Sequence, residues 1–523
     1  MPAIPLKTLA VHLRPQDNIA VAAKPIPAGT DVQIDGHPVR VPGQVKLGHK
    51  FAVVPIKEGD AILKYGQIIG FAARDIALGE HVHVHNVKLG TFERDYAYST
   101  EVPAPPGEPN EYRTFMGYDR GPERSVHQRY GTRNFIAIIS TVNCSAATSK
   151  YVAERLKASG ILKQFPNVDG VVPIVHKHGC AMAYDGADHK QLDRTLAGFA
   201  RHPNVAAYIL IGLGCETGQA LHLVNGENLE LVTIGLPRAK PLVLSIQETG
   251  GIAKTVEAGV KAVAEMLPAV NMFKRVQLPA KHIMLGTNCG GSDGNSGVTA
   301  NPALGIASDL IVQQGGTSIL GETPEIYGAE HLLTRRAVNQ AVGEKLVERI
   351  KWWEWYTSIF GVEINNNPSF GNKEGGLTTI YEKSLGAIAK AGSTAMVDVV
   401  QYAEPVTAKG FVVMDTPGYD PVSMTGIVAG GANVLVFTTG RGSVFGCKPS
   451  PSIKVATNSP LYNHMLGDMD INAGRILEGV PMEEVGKEIF EKILSVASGE
   501  KTKSELNDVG EEEFAPWSIG PTL

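Results

Sequence analysis

Phe135-Ile136-Ala137-Ile138-Ile139-Ser140-Thr141-Val142-Asn143-Cys144-Ser145 is a mostly apolar run that stops at three small polar residues. A run of this length, rich in branched side chains, reads as a buried strand. A helix through about residue 158 follows the polar turn, and a strand, a turn and a helix N-terminus together form a geometry that binds anions. The unit recurs. Val168 to Val175 ends at His176-Lys177-His178-Gly179-Cys180, and Ala206 to Ile211 ends at Gly212-Leu213-Gly214-Cys215-Glu216. Leu242 to Ile246 leads to Gln247-Glu248-Thr249-Gly250 and a helix, and Ile283 to Leu285 leads to Gly286-Thr287-Asn288-Cys289-Gly290-Gly291-Ser292-Asp293-Gly294. Strands alternating with helices predict a parallel sheet with right-handed crossovers, and ligands bind beyond the carboxyl ends of such strands.

The Gly286–Pro302 segment has the marks of a binding loop. Its glycines let backbone approach a ligand, and its small polar side chains offer donors and acceptors without filling the space. A plain turn rarely needs so long a polar run. Cys144, Cys180, Cys215 and Cys289 all fall at strand ends, where thiolates suit a soft or borderline metal. A small buried residue is the plainer reading for each alone.

Upstream, residues 1–95 show short apolar runs separated by turn signals, which predicts a small β-rich unit. Its polar residues cluster as His12 with Asp17-Asn18, Gly48-His49-Lys50, Lys64-Tyr65-Gly66 and His81-Val82-His83-Val84-His85-Asn86. On a strand, His81, His83 and His85 would share one face and suit a divalent metal or an anion. The polar outer face of a half-buried strand accounts for the triplet equally well. Residues 96–130, with Pro103, Pro105, Pro106 and Pro109, read as an extended linker. A basic stretch ends it, in which Arg133, beside Asn134, is a carboxylate clamp or a solvated junction residue.

Downstream, Asn365 to Gly376 forms a second polar loop containing Asn372 and Lys373, and Thr438-Thr439-Gly440-Arg441-Gly442 is able to cradle a carboxylate through backbone N–H groups and the Arg441 fork. The Trp352, Trp353 and Trp355 group reads as packing. The body divides, on this reading, into 131–330 and 331–523, the latter closing with an amphipathic helix and a polar tail.

Composition narrows the function classes. The chain has 523 residues, 43% hydrophobic and 19% charged, with net charge -5 and a pI near 6.3. Its basic residues are scattered, which excludes a nucleic-acid or anionic-membrane partner. No signal-peptide pattern and no apolar run long enough to span a bilayer are present, so a cytoplasmic protein is expected. Five cysteines in so long a chain make no disulfide framework.

The N-terminal clusters, the Cys144 turn, His176 to Cys180, Gly212 to Glu216, Cys289 to Asp293, Thr299-Ala300-Asn301-Pro302, Asn367-Pro368 with Gly371-Asn372-Lys373, and Thr438 to Gly442 together resemble the altronate and galactarate dehydratase family. The resemblance implies an α/β fold. In it a small SAF-type β-clip domain and a linker precede a large body of mainly parallel sheets. It implies a metal-dependent hydro-lyase acting on an aldonic or aldaric acid to give a 2-keto-3-deoxy acid. Fe2+ or Mn2+ is the family expectation, with Mg2+ as a further option. An iron–sulfur cluster is disfavoured because the cysteine spacings match no compact C-x-x-C pattern. A homo-oligomer, a dimer in the simplest case, is expected.

Within that frame the metal-ligand candidates are His12, His49, His83 and His85 in the small domain, and Cys144, Cys180, Cys215 and Cys289 in the body. His176 and Lys373 are candidates for the base, and Asp293 is a third candidate catalytic group. Arg133, Asn134, Ser292, Asn301, Asn372, Thr439 and Arg441 are candidates for holding the substrate. The His81–Asn86 run and Pro324 to Glu330 lean toward altronate. The Asn143-Cys144-Ser145 turn and the segment from Tyr118 to Gly131 copy neither branch, so another sugar acid stays open. The chain also resembles sulfolactate sulfo-lyase, which would eliminate sulfite instead of water. A non-catalytic sugar-acid-binding protein is the third reading, disfavoured by the cysteines and histidines at strand ends. The two-domain placement of these clusters predicts that the small domain covers the strand ends of the body.

Overall fold

A computed structural model describes residues 3–92, 94–231 and 239–520. The N-terminal unit consists of three small sheets of short strands, almost all antiparallel. One of them sets Ala10–Val11, Ile19–Ala22, Lys50–Ala52 and His81–Val82 side by side. Its apolar residues feed two cores. One is internal, around Val32, Val41 and Phe51. The other joins Ile19, Val21, Ile62 and Ile69 to Leu320, Leu346, Leu385 and Val413 of the body. The small domain is therefore held to the body by shared hydrophobic burial, the largest favourable term available to it.

The first part of the body is a parallel sheet in the order Gly170–Ile174, Phe135–Ser140, Val205–Gly212, Val243–Ser245. Every residue of Phe135–Ser140 and Val205–Gly212 is buried, because helices cover both faces. The stretch read as a linker contains a strand, Thr114–Asp119, which pairs antiparallel with Arg275–Pro279 and Tyr130–Gly131. Buried Phe115 and Tyr118 hold it there.

A seven-stranded, all-parallel sheet follows: Met396–Val400, Gly410–Met414, Thr317–Leu320, Met284–Cys289, Val434–Thr439, Ser452–Ala456, Ile471–Asn472. It draws strands from both sides of residue 330. The body thus divides between Arg275–Pro279 and Met284–Cys289, not at 330 as the sequence suggested. One consequence concerns the cysteines. Cys289 ends a strand of this sheet, whereas Cys144, Cys180 and Cys215 are exposed on the other one, so the four do not converge.

Of the tryptophans read as packing, Trp353 is buried, whereas Trp355 is exposed. Trp353 stacks on Trp517 and donates its indole N–H to Asp415. Among the described residues no helix is long and apolar enough to cross a membrane.

Candidate active site at the sheet switch point

In the seven-stranded sheet the chain runs from Met284–Cys289 outward to one side and returns to Val434–Thr439 on the other side. Such a reversal opens a crevice at the strand ends, where open α/β sheets bind ligands. The four-stranded sheet has a reversal of its own, between Phe135–Ser140 and Val205–Gly212. There the chain's own carboxylate fills the place: Glu216 accepts from Thr141 Oγ1, Leu213 N and Gly214 N at 3.1, 3.2 and 2.6 Å. The seven-stranded crevice leaves several polar atoms to spare in one loop. Asn288 Oδ1, Ser292 Oγ and both amide atoms of Asn295 are buried with no hydrogen-bond partner, which is costly unless a ligand engages them.

The small domain closes this crevice. A Cβ on Gly294 would lie 1.9 Å from the carbonyl oxygen of Gly48, and Gly48 itself has φ +78°, so the two backbones meet only because both are glycines. His49 Nε2 lies 2.9 Å from Glu374 O and its Nδ1 lies 3.0 Å from His81 Nε2. His49, His81 and His83 bring their ligand atoms within 4.8 Å of one another. Burial, with the neighbouring charges of His49, His85 and Lys50, pushes His81 down to about 4. Burial, with Lys50 and His49, pushes His83 to about 3. Both imidazoles are therefore neutral at neutral pH, the form that binds a metal. His83 Nδ1 is buried without a partner, and the contact of His49 Nε2 with a backbone carbonyl is the usual way a ligating ring is oriented. The set fits a borderline divalent ion.

The histidine run departs from the expected strand. Pairing stops at Val82, and Asn86 closes a turn by accepting from His83 N at 2.8 Å. His85 is exposed on that turn, with its ring against His81. His12 is exposed and lies 2.8 Å from the carbonyl of Asp17. Neither joins the group.

Beneath the triad lies a charge cluster that the sequence did not disclose. Lys50 and Lys64 bond the two oxygens of Glu382 at 2.8 and 2.9 Å, and all three side chains are fully buried. Burial would raise the Glu382 carboxyl, but the two ammonium groups outweigh it and hold it well below the carboxylate range. One carboxylate cannot balance two ammonium groups in a low-dielectric place. Burial accordingly lowers Lys50 to about 8, while the attraction of Glu382 outweighs burial at Lys64 and raises it.

A second buried cluster lines the adjoining strand ends. Cys289 Sγ is 2.8 Å from Lys390 Nζ, which bonds Glu322 at 2.7 Å. Lys383 bridges Glu325 and Asn367 at 2.7 and 2.8 Å, and Asn288 donates to Asp420 at 2.9 Å. Burial first, then neighbouring carboxylates, raises Glu322 to about 7 and Asp420 to about 8. Burial also pushes the Cys289 thiol up to about 12. Cys289, Glu322 and Glu325 are close enough to share a cation, but the Lys390 ammonium already answers their charge.

Other expected site residues have structural duties. Asp293 accepts from Thr457 Oγ1, Ser296 Oγ and Asn295 N, all near 3 Å. It braces its own loop and is no free acid. Asn301 bridges Gly386 O and Thr438 Oγ1. Asn372 closes the capping box of Phe370–Glu374 and donates to Ser292 O. Thr439 Oγ1 receives Gly442 N. Arg441 remains half-exposed at the mouth, paired with Glu374 at 3.3 Å, and Lys373 is half-buried on the same short helix as Glu374.

Arg133, Asn134 and His176 lie elsewhere. Arg133 grips Glu505 in two places and three backbone carbonyls. Asn134 ties Arg120 to Asn167 O and Val270 O. Both precede the strand Phe135–Ser140 and so stand at its amino end, opposite any ligand edge. Both His176 nitrogens are taken, by Ser140 O and His178 N. Cys144, Cys180 and Cys215 form no metal-sized group among the described residues.

Glu322, Glu325 and Glu382 escaped the sequence reading. A buried carboxylate is recognisable only once its lysine partner, far away in sequence, is beside it.

Three family profiles match in succession. They are the altronate/galactarate dehydratase SAF domain at residues 8–90, the second domain of D-galactarate dehydratase/altronate hydrolase at 117–271, and the C-terminal D-galactarate/altronate dehydratase domain at 280–522. The altronate dehydratase of Bacillus subtilis (strain 168) is 36% identical over 98% of this chain and 99% of its own length. That of Escherichia coli (strain K12) is 35% identical over 98% and 99%. The E. coli galactarate dehydratase (L-threo-forming) is 38% identical over 94% and 93%. The chain belongs to the altronate/galactarate dehydratase family of hydro-lyases.

Proposed function

We propose that this enzyme dehydrates a sugar acid, altronate before other aldonates or aldarates, to the corresponding 2-keto-3-deoxy acid. The observation that carries the reading is the meeting, at one switch point, of three neutral imidazoles, an excess of buried positive charge, and the partnerless polar atoms of Ser292 and Asn295. An anionic polyol asks for that set: cationic charge for the carboxylate and small polar groups for the hydroxyls.

His49, His81 and His83 would hold Fe2+ or Mn2+, which when bound offsets the negative charge that grows on the substrate carboxylate as C2 loses its proton. Lys50 and Lys64, sharing a single carboxylate, add a fixed field of the same sign. Ser292 and Asn295 orient hydroxyls. The C2 proton passes to a base, the C3 hydroxyl leaves as water after receiving a proton, and the enol product tautomerises to the ketone. Glu322 and Asp420, raised by burial to about 7 and about 8, are suited to take and return protons near neutral pH. Lys373 is the cationic alternative for the base, and Arg441 offers its fork to the far end of the substrate.

The test is a panel of aldonates and aldarates, assayed for 2-keto-3-deoxy product with anaerobically purified protein supplied with Fe2+ or Mn2+. Turnover of altronate, lost in His81→Ala, is the expected result. Absence of product across the panel rejects the reading, and turnover of sulfolactate alone would move the enzyme to sulfite elimination.

A further inference from the structure

Outside this site, the first part of the body carries a group of side chains with no duty in the proposed reaction. His189 and Asp193 stand four apart on the helix Ala187–Arg201 and so share one face. His222, on the helix Ala220–Gly226, meets them there. We propose that His189, Asp193 and His222 form a binding site for a divalent transition-metal ion of the zinc class.

The distances favour an ion over hydrogen bonds. Asp193 Oδ2 lies 3.6 Å from His189 Nε2 and 3.6 Å from His222 Nε2, beyond the reach of a hydrogen bond. Two ligands about 2.1 Å from a tetrahedral ion stand about 3.4 Å apart. The observed separations therefore suit atoms that share one ion, and all three ligand atoms fall within 4.8 Å of one another.

Two further observations point to a ligand. The His189 side chain is buried and its Nε2 has no hydrogen-bond partner, a state that costs free energy unless something binds there. On His222, Nδ1 lies 3.3 Å from Tyr184 Oη, the outer contact that orients a ligating imidazole and leaves Nε2 to the metal.

The cost falls on His189. Asp185 N–H donates to its Nδ1 at 3.0 Å, which places the ring proton on Nε2, toward Asp193. Metal uptake at Nε2 requires the ring proton to move to Nδ1, which gives up the Asp185 contact, so loading carries this cost with no net proton released from the neutral ring.

The experiment compares the chelator-stripped full-length protein with His222→Ala, Asp193→Asn and His81→Ala. Equilibrium dialysis counts bound Zn2+, and Co2+ absorption reports the ligand geometry. The wild type should bind one more equivalent of Zn2+ than either His222→Ala or Asp193→Asn; with the other ion group removed by His81→Ala, one equivalent and a tetrahedral Co2+ band should remain, and adding His222→Ala or Asp193→Asn should abolish both. Asp193→Asn preserves shape, and near-ultraviolet circular dichroism verifies folding. Equal Zn2+ stoichiometry in the wild type and the two variants would overturn the proposal. Because His81→Ala acts on the other group, failure there and failure here are separable.

Discussion

Lys50 Nζ lies 2.8 Å from Glu382 Oε2, and neither side chain reaches solvent. The bond crosses from the small domain to the body, and Lys64 takes the other carboxylate oxygen at 2.9 Å. Glu382 is thus both a latch between domains and the sole acidic member of this buried triad. Removing one partner of a buried ion pair leaves an uncompensated charge and costs about 3–5 kcal/mol. Glu382→Gln should therefore lower the thermal midpoint by several degrees and abolish turnover. Adding Lys50→Met, which removes one of the stranded ammonium groups, should recover part of the stability and none of the activity. A single variant that melts with the wild type would show that the latch carries no weight.

The histidine triad predicts an acid-sensitive fold. Unfolded histidine titrates near 6.5, whereas His81 and His83 in the folded protein are lowered to about 4 and about 3. Between those values the unfolded chain binds more protons, so stability falls as pH drops from about 6.5 toward 4. In chelator, the urea midpoint should decline across that window for the wild type. The decline should be shallower for His81→Ala/His83→Ala, and parallel slopes for the two proteins would refute the assignment.

Gly294→Ala tests domain closure directly. The added methyl would sit 1.9 Å from a backbone oxygen of Gly48, and backbone cannot yield as a flexible side chain does. Overpacking of this kind costs about 1–3 kcal/mol, and here the relief is separation of the small domain from the loop. Turnover should fall at least tenfold with a raised KM for the sugar acid, and limited proteolysis should cut faster between the small domain and the body. An unchanged KM would mean that closure at this point does not shape the site.

The repeated strand–turn–helix units made the parallel sheets legible, because fully buried strands such as Val205–Gly212 leave unbroken apolar runs. The order of the strands was not legible. Periodicity does not reveal that Met284–Cys289 lies beside Val434–Thr439, nor that this sheet reaches across residue 330. Among the site residues, His49 and His83 stood out because polar residues in short apolar strands are conspicuous. Arg133 misled for the opposite reason: an arginine beside a strand looks alike whether it grips a substrate or, as here, Glu505. Cys144 and Cys289 occupy equivalent positions in separate sheets, so a rule that placed each correctly at a strand end still assembled them wrongly.

Asp293 offers the sharpest contrast between the two kinds of reading. In sequence it is the carboxylate of a glycine-rich loop and a natural candidate for chemistry. In the structure its oxygens receive Thr457, Ser296, Asn295 N and, at 3.3 Å, Asn458 Nδ2. Burial raises its pKa while those bonds pull the other way, and a Cβ on Gly440 would collide with the carboxylate at 2.1 Å. In Asp293→Asn, an amide oxygen in the place of Oδ1 keeps three of these bonds, but the amide N–H2 then faces the N–H2 of Asn458. One unsatisfied buried donor costs about 1–3 kcal/mol. A brace and an acid–base group therefore give different signatures. If Asp293 braces the loop, the thermal midpoint drops by a few degrees, KM rises, and the pH profile of kcat/KM keeps its shape. If it transfers a proton, the midpoint holds, kcat falls by about 10²–10⁴, and one limb of the profile disappears. The bonding around Asp293 predicts the first outcome, and the second would return this residue to the chemistry.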